Sequence, residues 1–83
     1  MSYKNRKDEV WEKGKIIKGK NPKLYRKDKF GNVLYYHSYG KRSKMGWEID
    51  HSKPQSKKGT HHLNNLQPMH WLANRKKSNQ YKN

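Results

Sequence analysis

Aromatic rings have to supply much of whatever core this chain builds. Only 29% of its 83 residues are hydrophobic, yet it carries 3 Trp, 6 Tyr and 1 Phe. Low hydropathy with high net charge is the composition of a disordered chain. The aromatics argue the other way, because they are too many for a solvated tail. They predict a folded domain of marginal stability. At this size a single core supplies about 3–5 kcal/mol, and a metal or a partner often adds the rest.

The charge narrows the partners. Lys and Arg total 21 against 6 Asp and Glu, a net charge of +15. Such a charge on so short a chain needs a polyanionic partner or leaves the chain repelling itself. Nucleic acid fits, since each neutralised phosphate releases counterions. A membrane fits less well. No segment approaches the ~18 apolar residues of a spanning helix, and none is long and apolar enough to lie in an interface. The stretch Met1–Lys7 lacks the apolar run of a signal peptide. The expected location is therefore cytoplasmic. There is no Cys, so disulfides and a thiolate zinc site are excluded.

The elements read as one α+β domain spanning residues 1–83. Residues 1–22 form a basic N-terminal segment. Ser2 to Lys18 is patterned as a weak helix with Asp8 and Glu9 in its first turn, Val10 and Trp11 as its anchor, and Gly14 as its end. Ile16 and Ile17 begin an extended piece, and Gly19-Lys20-Asn21-Pro22 is a loop. Residues 23–45 hold a hairpin and a basic loop, with Phe30-Gly31-Asn32 as the turn between Leu24-Tyr25 and Val33-Leu34-Tyr35-Tyr36. Residues 46–79 hold a strand at Trp47–Asp50, a long polar connection from Ser52 to His62, a second strand within Leu63–Met69, and a helix over His70–Asn79. Trp71 and Leu72 are expected to face inward on that helix, and Arg75, Lys76 and Lys77 outward. The expected packing set is Trp47, Ile49, Leu63, Leu66, Met69, Trp71 and Leu72 against the upstream hairpin.

The chemistry begins at Asp50-His51, at a strand end. Asp offers a hard oxygen for Mg²⁺, and His titrates near neutrality and can take a proton from water. Neighbours on a strand point to opposite faces, but a loop at the strand end can turn both toward one site. Alone, the pair also reads as a charged strand end with a solvated His. Downstream, the chain adds Pro54-x-Ser56-Lys57, Gly59, Asn65-Leu66-Gln67-Pro68 and Asn74-x-x-Lys77.

Together with Trp47-Glu48-Ile49-Asp50-His51, these motifs keep the order and spacing of the HNH endonuclease family, which the segment Gly46–Ser78 resembles over 33 residues. Tyr25-Arg26-Lys27-Asp28 with Phe30-Gly31-Asn32 also resembles the flank of small phage-type and virus-type HNH proteins. The resemblance implies a ββα-metal fold of two short antiparallel strands and a helix around one divalent ion. It implies a phosphodiesterase acting on DNA, with His51 as general base and Asp50 as metal ligand. Asn65 is then the middle Asn, which orients the base through backbone contacts. Asn74 is the second metal ligand. Mg²⁺ is the expected ion, with Mn²⁺ and Ni²⁺ as alternatives. Double-stranded DNA is the expected partner, within a larger phage or viral assembly as one setting. The Cys pairs that hold a structural zinc in many members are missing, so no structural zinc is expected. The family's Gly-Gly is Lys58-Gly59 here.

Other positions keep two readings. His70 is a third metal ligand or a helix-start residue without metal. His61 and His62 are metal ligands or solvated loop histidines. His37 suggests no chemistry. The three Trp stack on bases or pack in the core. Lys41, Arg42, Lys44, Lys53, Lys57, Lys58, Arg75, Lys76 and Lys77 flank the site as phosphate contacts, conferring affinity rather than sequence choice, or form a solvated basic surface. The competing function is a non-catalytic nucleic-acid-binding or packaging protein on an HNH scaffold. For His51, nearby cations lower the pKa and Asp50 raises it, and the sequence does not rank them.

Overall fold

The computed structural model describes residues 6–53 and 59–80, the last three of these by their backbone. Helix α1 is one short stretch, Lys7–Trp11, with Asp8 and Glu9 in its first turn. It buries Val10 and Trp11, as the sequence suggests. Gly14 follows it, and a Cβ there would stand 3.0 Å from the Cβ of Arg26. That close approach lets the Arg26 guanidinium reach back over the end of α1. It donates to the carbonyls of Glu12 at 2.9 Å, Gly14 at 3.0 Å and Pro22 at 2.9 Å. Carbonyls beyond a helix end have no intrahelical partner, and a cation is a good one.

The extended piece expected at Ile16 is strand β1 (Lys15–Ile16). It pairs antiparallel with β2 (Tyr25–Lys27), which pairs antiparallel with β3 (Val33–Tyr35). Residues 28–32 turn the hairpin. Gly31 sits at φ +87°, a conformation that favours glycine. Asp28 organises this turn from the inside. It is 1% exposed, and its carboxylate accepts from Phe30 N, Asn32 N and Asn32 Nδ2, and from His70 N at 3.0 Å across 42 positions of sequence. The last bond ties the hairpin to the second half of the chain. A 3-10 turn over Tyr36–Ser38 then replaces the rest of the expected strand.

Strand β4 (Trp47–His51) and strand β5 (Leu66–His70) form a separate antiparallel pair. Gly46 precedes it because nothing larger fits: a Cβ there would lie 1.8 Å from the Lys41 carbonyl oxygen. The register sets Trp47 opposite His70, Ile49 opposite Pro68 and His51 opposite Leu66. Directly opposed residues share a face. This face packs against α1 and the hairpin, and Val10, Trp11, Leu34, Trp47, Ile49 and Leu66 form the core, with Tyr36, Tyr39 and Leu63 packed on it. The Trp47 ring lies 5.0 Å from Trp11 and 4.8 Å from Tyr39. Both indole N–H groups find carbonyls, Trp11 at Pro22 and Trp47 at Tyr36.

The other face of the pair carries Glu48, Asp50, Gln67 and Met69, and helix α2 (Trp71–Gln80) covers it. Here two expectations are corrected. Leu72 is 49% exposed, and Trp71 is only partly buried, its indole N–H on the Ser43 carbonyl at 2.7 Å. The residues that α2 turns toward the strands are polar, Asn74 and Lys77, three positions apart and so on one side of a helix. The two apolar residues are adjacent and cannot share that side.

Candidate active site

Asp50 stands on β4 directly opposite Gln67 on β5 and is 5% exposed. One carboxylate oxygen, Oδ2, accepts from Gln67 Nε2 at 2.7 Å and from Lys77 Nζ at 2.7 Å. Oδ1 receives neither bond. A buried carboxylate needs such partners, because desolvation without them is costly. Lys77 is itself 11% exposed at its side chain, which corrects the expectation that it points outward. Its ammonium also donates to the carbonyls of His51 at 2.7 Å and Ser52 at 3.4 Å.

Two residues earlier on the strand, Glu48 shares the face of Asp50 by the strand period. It accepts from Asn74 Nδ2 and Arg75 Nη2, both at 2.9 Å. Asn74 thus stands in contact with Glu48, and its amide oxygen is left for another partner. Arg75, expected as a free phosphate contact, is paired. Lys41, Arg42, Lys44, Lys53 and Lys76 are exposed. Pro54, Ser56, Lys57 and Lys58 lie outside the described residues.

His51 is still part of β4, paired with Leu66, so the pleat sends it to the side opposite Asp50. The loop does not rotate the pair to one side. The two are instead joined through Lys77, which holds the carboxylate of one and the carbonyl of the other. The His51 ring meets His61, Nε2 to Nδ1 at 2.9 Å. Partial burial and then the charge of His61 hold the His51 pKa below the ordinary histidine value, with Lys77 acting the same way and Asp50 opposing. Of the opposing influences that the sequence leaves unranked, those that lower the His51 pKa outweigh Asp50.

Asn65 closes the loop behind His51. Its Oδ1 accepts from Lys53 N at 2.8 Å, its Nδ2 donates to the carbonyls of Lys53 at 3.1 Å and Thr60 at 2.7 Å, and its own carbonyl accepts from Ser52 N at 2.8 Å. Asn65 ends the 3-10 turn Leu63–Asn65, which Lys13 supports from behind by donating to the carbonyls of Leu63, at 2.6 Å, and Leu66. Burial of that ammonium lowers its pKa.

His70 is nine-tenths buried. Its Nε2 meets the Lys44 carbonyl at 2.8 Å, so that nitrogen carries the proton, and its Nδ1 accepts from Leu72 N at 3.1 Å. With both ring nitrogens engaged, His70 is a structural residue at the start of α2 and offers no lone pair to a metal. His62 is exposed, and His37 packs ring edges on Tyr35 and Tyr36. Three participants escape the sequence reading: Glu48, Gln67 and the contact of His61 with His51. Glu48 was within reach, since residues i and i+2 of a strand share a face. The other two depend on register and loop course.

The family model of the HNH endonucleases matches residues 37–80, more than half of the chain. This protein belongs to the HNH endonuclease family. No curated protein matches it, and neither does any solved structure. Its small α+β architecture, with hairpins and a C-terminal helix, is consistent with the ββα fold of HNH domains. The HNH assignment carries nuclease-type function and nucleic-acid binding in general terms, and HNH nucleases typically use a divalent metal. Among the described residues, no group of three or more His, Cys, Asp and Glu side chains gathers to hold one. What α2 and β4 bring near each other are hard oxygen donors, Asp50, Glu48 and the Asn74 amide. Oxygen donors of this kind suit a hard divalent cation. No helix among the described residues is long and apolar enough to cross a membrane.

Proposed function

We propose that this protein hydrolyses DNA phosphodiester bonds, with His51 taking the proton from the attacking water. The observation that carries the reading is the clamp of Asn65 on the loop leaving His51, four hydrogen bonds that fix the backbone behind the proposed base. A general base must be neutral and held still, and the depressed pKa of His51 serves the first need. Asp50 and Asn74 are the residues proposed to hold one divalent ion, probed first as Mg²⁺. When bound, that ion supplies charge stabilisation at the phosphorus and the leaving oxygen. Lys77 must then release Asp50 or share it through the second carboxylate oxygen. The exposed cations Lys41, Arg42, Lys44, Lys53 and Lys76 serve as backbone contacts for a double-stranded substrate, and Lys57 and Lys58 are proposed with them.

One observation favours a second reading, a binding or packaging protein on the same scaffold. The carboxylate proposed for the metal is already neutralised by an internal ammonium. Plasmid cleavage in Mg²⁺, Mn²⁺ or EDTA at low salt, beside His51→Ala, separates the two. Metal-dependent nicking that falls by about 10²–10⁴-fold in the variant supports the enzyme. Equal gel shifts with no cutting by either protein support the binder.

A further inference from the structure

The bond from His70 N to Asp28 brings the tip of the β2–β3 hairpin beside the first turn of α2. Between them lies a groove of about 580 Å³, lined by Phe30 and Asn32 on one side and by Leu72, Ala73 and Lys76 on the other. Its walls hold two of the exposed large hydrophobic residues among the described ones. Phe30, the only Phe in the chain, is 61% exposed, and Leu72 is 49% exposed. Neither belongs to the core. The Lys29 ammonium stands 5.2 Å from the Phe30 ring centroid, and Lys76 is exposed on the opposite wall. Lys77 lines the same groove and ends on Asp50. The Lys77 side chain therefore runs from the groove to the candidate active site.

We infer that this groove receives a base swung out of the bound nucleic acid, stacked on Phe30 with its flanking phosphates on Lys29 and Lys76. An apolar floor with cations at its rim complements a flat ring on an anionic backbone, and it does not complement another copy of a +15 chain. Aromatic stacking on bases is sequence-tolerant, because every base has a π-face. The groove thus adds purchase on the strand beside the cleaved bond. The inference rests on the reading of this chain as a nucleic-acid enzyme and extends it to a second point of contact.

The test uses the full chain in EDTA, with DNA duplexes carrying 2-aminopurine at successive positions. Native protein and Phe30→Tyr are expected to change the fluorescence of the probe at one or two adjacent positions. Phe30→Ala is expected to lose that change and to bind about 5- to 150-fold more weakly, the equivalent of ~1–3 kcal/mol of stacking. The salt dependence of binding stays the same, since no cation is removed. Leu72→Ser, from the opposite wall, weakens the same signal. Phe30 is exposed, so its truncation leaves the core intact, and circular dichroism checks this. Unchanged affinity and unchanged fluorescence in Phe30→Ala overturn the inference. So does a shift by Phe30→Ala from dimer to monomer in sedimentation with DNA binding unaltered, which makes the groove a contact between copies. Because metal is absent, the result is independent of cleavage. A protein that shows the stacking signal yet never cuts loses the enzymatic reading alone, and one that cuts without the signal loses only this inference.

Discussion

Helix α1 reaches the β4–β5 pair with Val10 and Trp11, both buried, while α2 reaches the other face of the same pair with Asn74, Arg75 and Lys77. One face is closed by aromatic rings and the other by hydrogen bonds and ion pairs. Burial of apolar area is non-directional and stabilises in proportion to area. A buried ion pair such as Lys77–Asp50 adds little net stability over apolar packing of the same volume, because desolvation offsets its attraction. The aromatic face therefore holds the fold, and the polar face holds charge in defined places. A small basic protein with few apolar residues can build only one core, and here the side it leaves polar is the side that carries the candidate metal ligands.

The contrast between the faces breaks first, if it breaks, at Trp47. Trp47→Ala removes a fully buried ring from the centre of the aromatic cluster. Such a truncation costs about 3–5 kcal/mol, close to everything that a domain of this size has. The expected product is an unfolded chain, seen as loss of the near-ultraviolet dichroism and of a cooperative thermal transition. A folded Trp47→Ala protein would show that the polar face carries the fold.

Lys77→Met probes the polar face with a side chain of similar length. It leaves the Asp50 carboxylate with Gln67 and without its cation, and charge-assisted bonds of this kind are worth about 1.5–3 kcal/mol. In EDTA the thermal midpoint is expected to fall. Millimolar Mg²⁺ or Mn²⁺ is expected to return more of it than the same ion adds to the native protein, because ligand binding to the folded state raises stability and the ion no longer competes with Lys77. If the ions restore nothing, Asp50 is a structural carboxylate, and the two faces differ only in chemistry, not in task.

The sequence showed the two faces unequally. The strand expected at Trp47–Asp50, which the structure extends to His51, and the turn at Phe30-Gly31-Asn32 are legible because alternation and glycine chemistry are local. The place of Asn65 is legible in the family's motif order, and its side chain bonds the loop that leaves His51. The packing of α2 was not legible. Its only large apolar residues are adjacent, so no helical stripe points to a buried side, and the polar residues that do face inward look like surface. Lys77 sits in the basic run Arg75-Lys76-Lys77 and reads as a phosphate contact until Asp50 is known to stand across from it. The sequence marks Asp28 only through the flank resemblance, since its burial depends on β5 arriving 42 residues later.

His61 tests the boundary between the faces, because it reaches across the end of β4 to His51. Burial and the charge of His61 lower the His51 pKa. The proposed base works when neutral, so under the proposed function a lower pKa keeps cleavage active to lower pH, and the acid limb should lie below the ordinary histidine value. His61→Asn removes one lowering charge. The His51 pKa then rises, and the acid limb moves to higher pH while the plateau rate changes little. The pH profile of plasmid nicking reads this directly. An acid limb that does not move would mean that His61 is a spectator and that burial, Asp50 and Lys77 set the His51 pKa.

The smallest expected effect separates pairing from placement. Arg75 meets Glu48 at 2.9 Å, but the Arg75 side chain is 51% exposed, and exposed pairs contribute about 0–1 kcal/mol. Arg75→Ala should therefore leave the denaturant midpoint nearly unchanged. Its neighbour in the same contact should behave differently. Glu48→Gln keeps an acceptor for Asn74 but removes the negative charge, so its stability is also near native, while the affinity for Mn²⁺ drops if Glu48 works beside Asp50 and Asn74. Chemical denaturation and calorimetric Mn²⁺ titration of both variants make the distinction. A stability loss in Arg75→Ala well beyond about 1 kcal/mol would show that ion pairs on the α2 face contribute to the fold on the scale of the aromatic face, and the division of labour between the two would have to be redrawn.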